Sequence, residues 1–315
     1  MKVLRSINGL STSSSPIVLA IGVFDGVHIG HRAVIQRALH DAAACGGYAV
    51  VVTFDPHPVR ILRPELAPRL LTCNEHKQQI IARLGVETLL VLPFDRDMAA
   101  TPPETFIRQL QGVAPGLRQI CVGAGWAFGK ERAGNLELLQ KIGVELGFSA
   151  VGVTDVSLDG QPVSSTAVRA AVEKGELDSA AKMLGRDFSI LGTVKEGRQL
   201  GRELGFPTAN LQSNNEQLPP NGVYGVSVRL LEHGEDGELV AGIANVGIRP
   251  TVSDSQERGC EVHLFDYAGD LYGKDIEVFF ESFVREEKKF TSVEELRAQI
   301  AQDIETVKSR TAHHV

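Results

Sequence analysis

Ile17 to His31 reads I-V-L-A-I-G-V-F-D-G-V-H-I-G-H, and the architecture of the first half of the chain follows from it. Ile17 to Phe24 is an apolar run of the length of a buried strand. Gly22, Gly26 and Gly30 then mark a turn, and Val34, Ile35, Ala38, Leu39 and Ala42 recur at helical spacing until the Gly46-Gly47 pair. In an open α/β sheet ligands bind where a strand ends and a helix begins, because backbone N–H groups and the helix dipole point at an anion there. The glycines would let a polyphosphate approach the backbone. His28 and His31, three residues apart, can project to one side as hydrogen-bond donors. Such a set suits direct in-line displacement at phosphorus, with no protein nucleophile.

Further apolar runs at Tyr48 to Phe54, Thr88 to Leu92, Gln119 to Gly123 and Phe148 to Thr154 alternate with helical patterns. Strand and helix repeated this way predict parallel βαβ units and a doubly wound domain. After Ser165 come two short helices, Thr166 to Lys174 and Glu176 to Leu184, each followed by a C-capping glycine, Gly175 and Gly185. The domain boundary is expected near Arg186. Beyond it period-2 alternation takes over: Val226, Val228 and Leu230 against Ser227 and Arg229, then the turn-prone His233 to Gly237 and a strand from Glu238 to Val246. This predicts a compact antiparallel barrel or sheet. The end returns to helix, with Thr291-x-x-Glu294 and Ser292-x-x-Glu295 as overlapping capping boxes and Val293, Leu296, Ile300, Ile304 and Val307 on one face.

Composition agrees with two globular domains, since 315 residues exceed the roughly 150 expected of one. With 43% hydrophobic and 23% charged residues the chain is not disordered, and a formal charge of -7 argues against a nucleic-acid-binding protein. Cys45, Cys73, Cys121 and Cys260 form no C-x-x-C pair, so neither a disulfide framework nor a zinc site is expected and the chain reads as cytoplasmic. Asp25 and His28 interrupt the N-terminal apolar stretch, which removes the signal-peptide reading. No apolar run approaches the ~18 to 20 residues of a membrane span.

Ser164-Ser165-Thr166 with Arg169, at a helix start after the last strand of this half, would form a second phosphate clamp; alone, such a cluster is usually an ordinary N-cap. Thr53-Phe54-Asp55-Pro56-His57-Pro58 ends the second run on the same expected ligand side. Gly123 to Lys130 has the spacing of neither a dinucleotide fingerprint nor a P-loop. In the second half, Gly197, Gly201 and Gly205 with Arg198 and Arg202 form a glycine-rich flap able to close over phosphates. The Thr208 hydroxyl and the Asn210 amide oxygen are hard ligands suitable for Mg²⁺. Glu261, placed at the head of a strand, is a candidate general base for transfer of a phosphoryl group to an alcohol. His313 and His314 read as tail surface.

Taken in order, G-V-F-D-G-V-H-I-G-H, T-F-D-P-H-P, V-S-S-T-A-V-R, L-G-F-P-T-A-N, N-V-G-I-R-P-T, E-V-H-L-F-D-x3-D-L-Y-G and V-R-E-E-K-K-F resemble the prokaryotic bifunctional riboflavin kinase/FMN adenylyltransferase family, also called FAD synthetase. The resemblance covers nearly the whole chain. It implies an α/β plus β architecture: a Rossmann-like nucleotidyltransferase domain over residues 1–185, then a riboflavin-kinase-like antiparallel β-barrel with a terminal helix over 186–315. It implies that His28 and His31 are catalytic, with Gly22, Phe24, Asp25, Gly26, Gly30, Ser164, Ser165, Thr166 and Arg169 around the ATP of the adenylyl site. Gly197, Gly201 and Arg202 would meet ATP in the kinase site, where Thr208 and Asn210 would hold Mg²⁺ and Glu261 would be the base. Asp55, Trp126, Phe128, Arg249 and Arg285 would contact flavin. The implied reactions convert riboflavin and ATP to FMN, then FMN and ATP to FAD and pyrophosphate, so the partners are these small molecules, with no nucleic acid and no membrane. The oligomeric state is not legible.

Where the family usually reads V-G-x-D/N-F-x-F-G, this chain has Gly125 in place of a polar residue and Ala127 in place of a frequent basic one. Two alternatives stay open at this level. One is a riboflavin kinase whose first domain binds nucleotide but adenylylates poorly. The other is a flavin-sensing binding protein, against which the set Thr208, Asn210 and Glu261 argues.

Overall fold

Every residue of Ile17–Ile21 is buried, which requires cover on both faces of the sheet. The computed structural model describes residues 1–10, 15–196, 205–231, 237, 239–249 and 257–311, with the backbone alone at 249, 257 and 311. It provides that cover in the first of two compact units, residues 1–69 with 74–165. Strands β1 (Lys2–Leu4), β2 (Ile17–Ile21), β3 (Tyr48–Asp55), β4 (Thr88–Pro93), β5 (Leu117–Gly123) and β6 (Ser149–Val153) form a parallel sheet in the order β1-β4-β3-β2-β5-β6. Helices α1 (Ile29–Ala44), α2 (Pro58–Leu62), α3 (Asn74–Ala82), α4 (Arg96–Ala100), α5 (Pro103–Val113) and α6 (Leu136–Leu146) complete the α/β pattern. Ile17, Leu19 and Ile21 join Val50, Val52 and Phe54 in one apolar cluster, while Val18 and Ala20 join Ala49 and Val51 in another. The two-residue period of the strands sorts alternate side chains into these separate layers.

Three details differ from the sequence reading: the end of β2, the extra strand β1, and a hairpin after β6. Strand β2 stops at Ile21 instead of running to Phe24, because Phe24, Gly26 and Val27 take left-handed φ values of 54°, 76° and 42°. Strand β1 is additional; at three residues it is too short for a periodic signal, and it pairs with β4 through Lys2 to Leu4. The strand order reverses beside β2, so the turn after β2 occupies the topological switch point where open α/β sheets bind ligands. A small hairpin, β7 (Ser157–Leu158) and β8 (Gln161–Pro162), turns through Asp159 and Gly160, both at positive φ.

The second unit comprises residues 70–73 and 166–315. Helices α7 (Ser165–Lys174) and α8 (Leu177–Leu184) are each followed by a left-handed glycine, Gly175 and Gly185, as the sequence predicted. Their apolar faces, with Val168, Val172, Ala180 and Leu184, belong to the same core as the barrel. Strands β9 (Ser189–Lys195), β10 (Ala209–Ser213), β11 (Gly222–Leu230), β12 (Leu239–Arg249), β13 (Glu257–Leu264) and β14 (Asp275–Arg285) close into an antiparallel barrel, which leaves no open sheet edge. The expected turn at His233 to Gly237 falls largely outside the described residues. Leu211, Val226, Val228, Val246, Val262 and Val278 share the barrel's main apolar cluster. Ile243, Val223 and Phe265 form a separate one with Ile304 and Val307 of the last helix, α9 (Val293–Thr311). The cap of α9 is one box shifted by a residue. The Ser292 hydroxyl accepts from the Glu295 N–H at 3.1 Å, while the Glu295 carboxylate reaches back to the N–H and hydroxyl of Thr291.

The strap of residues 70–73 is tied into this unit by its backbone. The Asn215 amide donates to the Leu71 carbonyl, the N–H groups of Glu216 and Gln217 donate to the Leu70 carbonyl at 3.2 and 3.0 Å, and Leu71 is buried in the main cluster.

Candidate active sites

The first site grows out of the turn between β2 and α1. Gly26 supplies one of its left-handed residues without strain, whereas Phe24 and Val27 adopt that region against the preference of their side chains. Three contacts hold the turn in this shape. The Thr53 hydroxyl donates to the Val23 carbonyl at 2.9 Å, the Lys77 ammonium donates to the same carbonyl at 3.0 Å, and the Ser165 hydroxyl donates to the Asp25 carbonyl at 2.9 Å.

His28 is the N-cap of α1: its Nδ1 accepts the His31 N–H at 3.3 Å, so in the neutral ring the proton sits on Nε2. Its ring stacks on that of His31 with centroids 3.6 Å apart, and Phe24 meets His31 edge-on at 5.2 Å. His28 and Asp25 are buried, not surface groups. His31 is held well below the ordinary histidine range, first by burial and then by the nearby charges of His28 and Lys77. Its Nδ1 is shielded from solvent without a hydrogen-bond partner among the described residues. The site thus offers the N-terminus of a sixteen-residue helix, two stacked imidazoles and a close backbone turn, a set of donors for phosphate oxygens.

Of the other expected residues, Gly22 and Gly30 lie in this turn and at the start of α1, and Ser164 directly precedes α7. Thr166 and Arg169 lie on α7 in the second unit. Asp55 ends β3, 3.9 Å from Arg5 in an exposed pair. Phe128 is buried beside Phe106, and half-buried Trp126 stacks on it with centroids 4.3 Å apart.

The second site lies on the outer wall of the barrel. Side chains of Ala209, Leu211, Val262 and Cys260 fill the main core, so the alternate residues Asn210, Glu261 and His263 face the other way. Asn210 on β10, Glu261 on β13 and Asn245 on β12 are direct partners across the sheet and form a row of oxygen-bearing groups. Glu261 is in the middle of β13 and not at its head, because Glu257 to Cys260 continue the pairing with β12. A cavity of about 320 Å³ opens on Glu261 and Asn245 of this row, with Phe206, Thr208, His263, Arg285 and Asp303 also in its wall, whereas Asn210 is not among the residues that line it. A second cavity of about 490 Å³ is lined by Val194, Pro207, Tyr267, Asp270 and Leu271, and Thr208 borders both.

Arg285 is fixed by Asp303 of α9, its Nε lying 3.0 and 2.9 Å from the two carboxylate oxygens. His263 Nδ1 lies 2.8 Å from the Pro207 carbonyl; a carbonyl only accepts, so Nδ1 carries the proton and braces the segment leading to Thr208. Gly197, Gly201 and Arg202, like Arg198, His313 and His314, lie outside the described residues, and of Arg249 only the backbone is described, at the end of β12.

Lys77, His263 and Asp303 were not singled out in the sequence. His263 carried a signal, since its i+2 spacing from Glu261 puts both on one strand face. Asp303 carried another, a carboxylate adjoining the apolar stripe of Ile300, Ile304 and Val307. Lys77 gave none, because its contacts lie 54 and 24 residues away in sequence.

A Rossmann-like parallel sheet in one unit and, in the other, a closed antiparallel barrel with two neighbouring cavities place this chain among two-module α/β plus β proteins. Comparison with known proteins agrees. A family model described as FAD synthetase matches residues 10–167, and one described as riboflavin kinase matches residues 184–311. The bifunctional riboflavin kinase/FMN adenylyltransferase of Pseudomonas fluorescens is 37% identical over 312 residues, covering 99% of this chain and 98% of the relative. That of Escherichia coli (strain K12) is 40% identical over 304 residues, covering 96% of each. A crystal structure titled as a macrolide-efflux protein from Streptococcus pneumoniae superposes with a TM-score of 0.83 at 27% identity, covering 98% of this chain and 99% of that one. Among the described residues no helix is long and apolar enough to cross a membrane. The chain belongs to the bifunctional riboflavin kinase/FMN adenylyltransferase family, and it carries both activities of flavin-cofactor biosynthesis.

Proposed function

We propose that the two reactions divide between the two sites: FMN adenylylation in residues 1–185 and riboflavin phosphorylation in residues 186–315. In the first, the turn and helix α1 bind the phosphates of ATP, and a phosphate oxygen of FMN attacks the α-phosphorus in line as pyrophosphate leaves. His28, with its Nδ1 used as a cap, presents Nε2–H to the phosphates. His31, kept neutral, donates alongside it as negative charge builds on the transferring group. Gly22, Phe24, Asp25, Gly26 and Gly30 shape the cradle, Ser164 and Ser165 complete the clamp, and Asp55, Trp126 and Phe128 serve the flavin.

In the barrel, one observation carries the assignment: Glu261 lines the 320 Å³ cavity, and Thr208 stands where that cavity meets the other. A general base must reach the hydroxyl it deprotonates, so riboflavin occupies the cavity of Glu261 and ATP the neighbouring one. Glu261 takes the proton of the ribityl hydroxyl as its oxygen bonds to the γ-phosphorus and ADP departs. Arg285 and Arg249 bind flavin, and Gly197, Gly201 and Arg202 cover ATP. Mg²⁺ fits the donor set. Thr208 and Asn210 offer hard neutral oxygens, and the Glu261 carboxylate is the cross-strand partner of Asn210. Such a hard oxygen set suits an ion that keeps several waters and binds chiefly through substrate phosphates. When bound, Mg²⁺ would neutralise charge on those phosphates. The protein works in the cytoplasm on these small molecules.

The test is a double dissociation in the full-length chain, read by chromatography of flavin products. His31→Ala should abolish most FAD formation from FMN while riboflavin is still phosphorylated. Glu261→Gln should lower FMN formation by ~10²- to 10⁴-fold, the usual contribution of a general base, while supplied FMN is still adenylylated. Equal loss of both activities in either folded variant would refute the division of labour.

A further inference from the structure

We propose that Lys77 is a positioning residue for adenylyl transfer, holding the turn from Val23 to His28 in place through the Val23 carbonyl and keeping a positive charge within electrostatic reach of His31. This rests on the assignment of His28 and His31 to that reaction. Lys77 lies on α3, away from the β2-to-α1 segment in sequence, yet only 5% of it is exposed. Its ammonium donates to the Val23 carbonyl at 3.0 Å and reaches the Thr53 hydroxyl at 3.4 Å, while that hydroxyl donates to the same carbonyl at 2.9 Å. One carbonyl oxygen thus takes two donors from two elements, immediately before the left-handed residues that set the course of the turn.

A charged donor makes a stronger hydrogen bond to that carbonyl than a neutral one, and a buried cation beside the proposed phosphate site points to use of its charge. The groups acting on His31 are His28, stacked on it from the same helix turn, and Lys77 from α3; both oppose formation of an imidazolium. Asp25 is buried in the intervening turn. A neutral His31 retains an N–H donor and a lone pair, and a positive charge within electrostatic reach makes its environment more favourable to incoming phosphates.

Three variants separate the two roles. Lys77→Met removes both anchor and charge, Lys77→Arg restores the charge, and Thr53→Val removes a neutral anchor only. FAD formation from FMN is measured against pH in the full-length chain. Trp126 fluorescence checks the first unit, and riboflavin phosphorylation in the same preparation serves as control. Lys77→Met should lower kcat for FAD formation roughly ten- to a hundredfold, the range for losing a hydrogen bond from a charged group. It should also move the acid-side fall in rate to higher pH, because His31 protonates sooner once the cation is gone. Lys77→Arg should recover most of the rate and the original profile. Thr53→Val should slow the reaction with the profile in place. A Lys77→Met profile superimposing on the wild type, a Thr53→Val profile displaced as far, or failure of Lys77→Arg to recover either property would overturn the proposal. An unaffected His31→Ala variant would instead remove the assignment on which it rests.

Discussion

Replacing Asp303 by alanine should destabilise the barrel unit by about 3 kcal/mol. The carboxylate is fixed on three sides: Arg285 Nε lies 3.0 and 2.9 Å from its two oxygens, Arg285 Nη2 lies 2.8 Å from one of them, and the Gln299 amide donates to the other at 2.9 Å. The Asp303 side chain is 4% exposed and that of Arg285 22%. Breaking a buried pair by removing one partner typically costs about 3 to 5 kcal/mol, because the remaining charge stays desolvated. The partial exposure of Arg285 and its bond to the Glu286 carbonyl at 2.9 Å soften that, which selects the low end. Three kcal/mol corresponds to roughly a 150-fold change in the folding equilibrium. With a urea m-value of about 1 to 3 kcal/mol/M it moves a midpoint by roughly 1 to 3 M. The single tryptophan of the sequence, Trp126, belongs to the first unit. Its fluorescence should keep the wild-type midpoint, while riboflavin kinase activity remaining after incubation in urea should be lost much earlier. Asp303→Asn, which keeps one acceptor oxygen, should fall between. A kinase-activity midpoint for Asp303→Ala within about 0.3 M of the wild type would refute the reasoning, since an uncompensated guanidinium cannot be that cheap.

Gly125 is exposed, a side chain there meets nothing within 4 Å, and its φ lies outside the left-handed region. Asparagine is therefore tolerated, and Gly125→Asn should raise FAD formation on the order of tenfold if an amide there bonds the reacting phosphates; an unchanged rate in initial-velocity assays would remove that role. At pH 8 a thiol reagent should modify Cys45 quickly and the other three cysteines only after unfolding. Cys73, Cys121 and Cys260 are buried, and burial pushes the Cys121 thiol up to about 11, so it remains protonated. Two fast-reacting thiols in the native protein would contradict this.

The α/β half was legible because its core strands are short apolar runs separated by helical spacing. The barrel was legible from Val226, Val228 and Leu230, whose alternation is the mark of a one-sided wall. What local pattern cannot carry is distance. Asn210, Glu261 and Asn245 become neighbours only when β10, β12 and β13 pair, and nothing near Glu261 in sequence says that a strand extends before it. Lys77 is the stronger case, since the carbonyl it serves is 54 residues away. Left-handed φ at Phe24 and Val27 was equally hidden, because neither side chain favours it and only the surrounding hydrogen bonds impose it.

The strap of residues 70–73 has a consequence for how the protein can be made. Because it belongs to the barrel unit by packing but is encoded amid the Rossmann-like half, no single cut in the gene separates the two units intact. A fragment beginning at Thr166 would carry an empty socket for Leu71 and an Asn215 amide without its carbonyl acceptor. On the ribosome the order is fixed too. The strap emerges well before Ser189 opens the first barrel strand, and at roughly 5 to 20 residues per second several seconds pass before its socket exists. During that interval Leu71 is an unpaired apolar side chain on a nascent chain, and the first half must tolerate it.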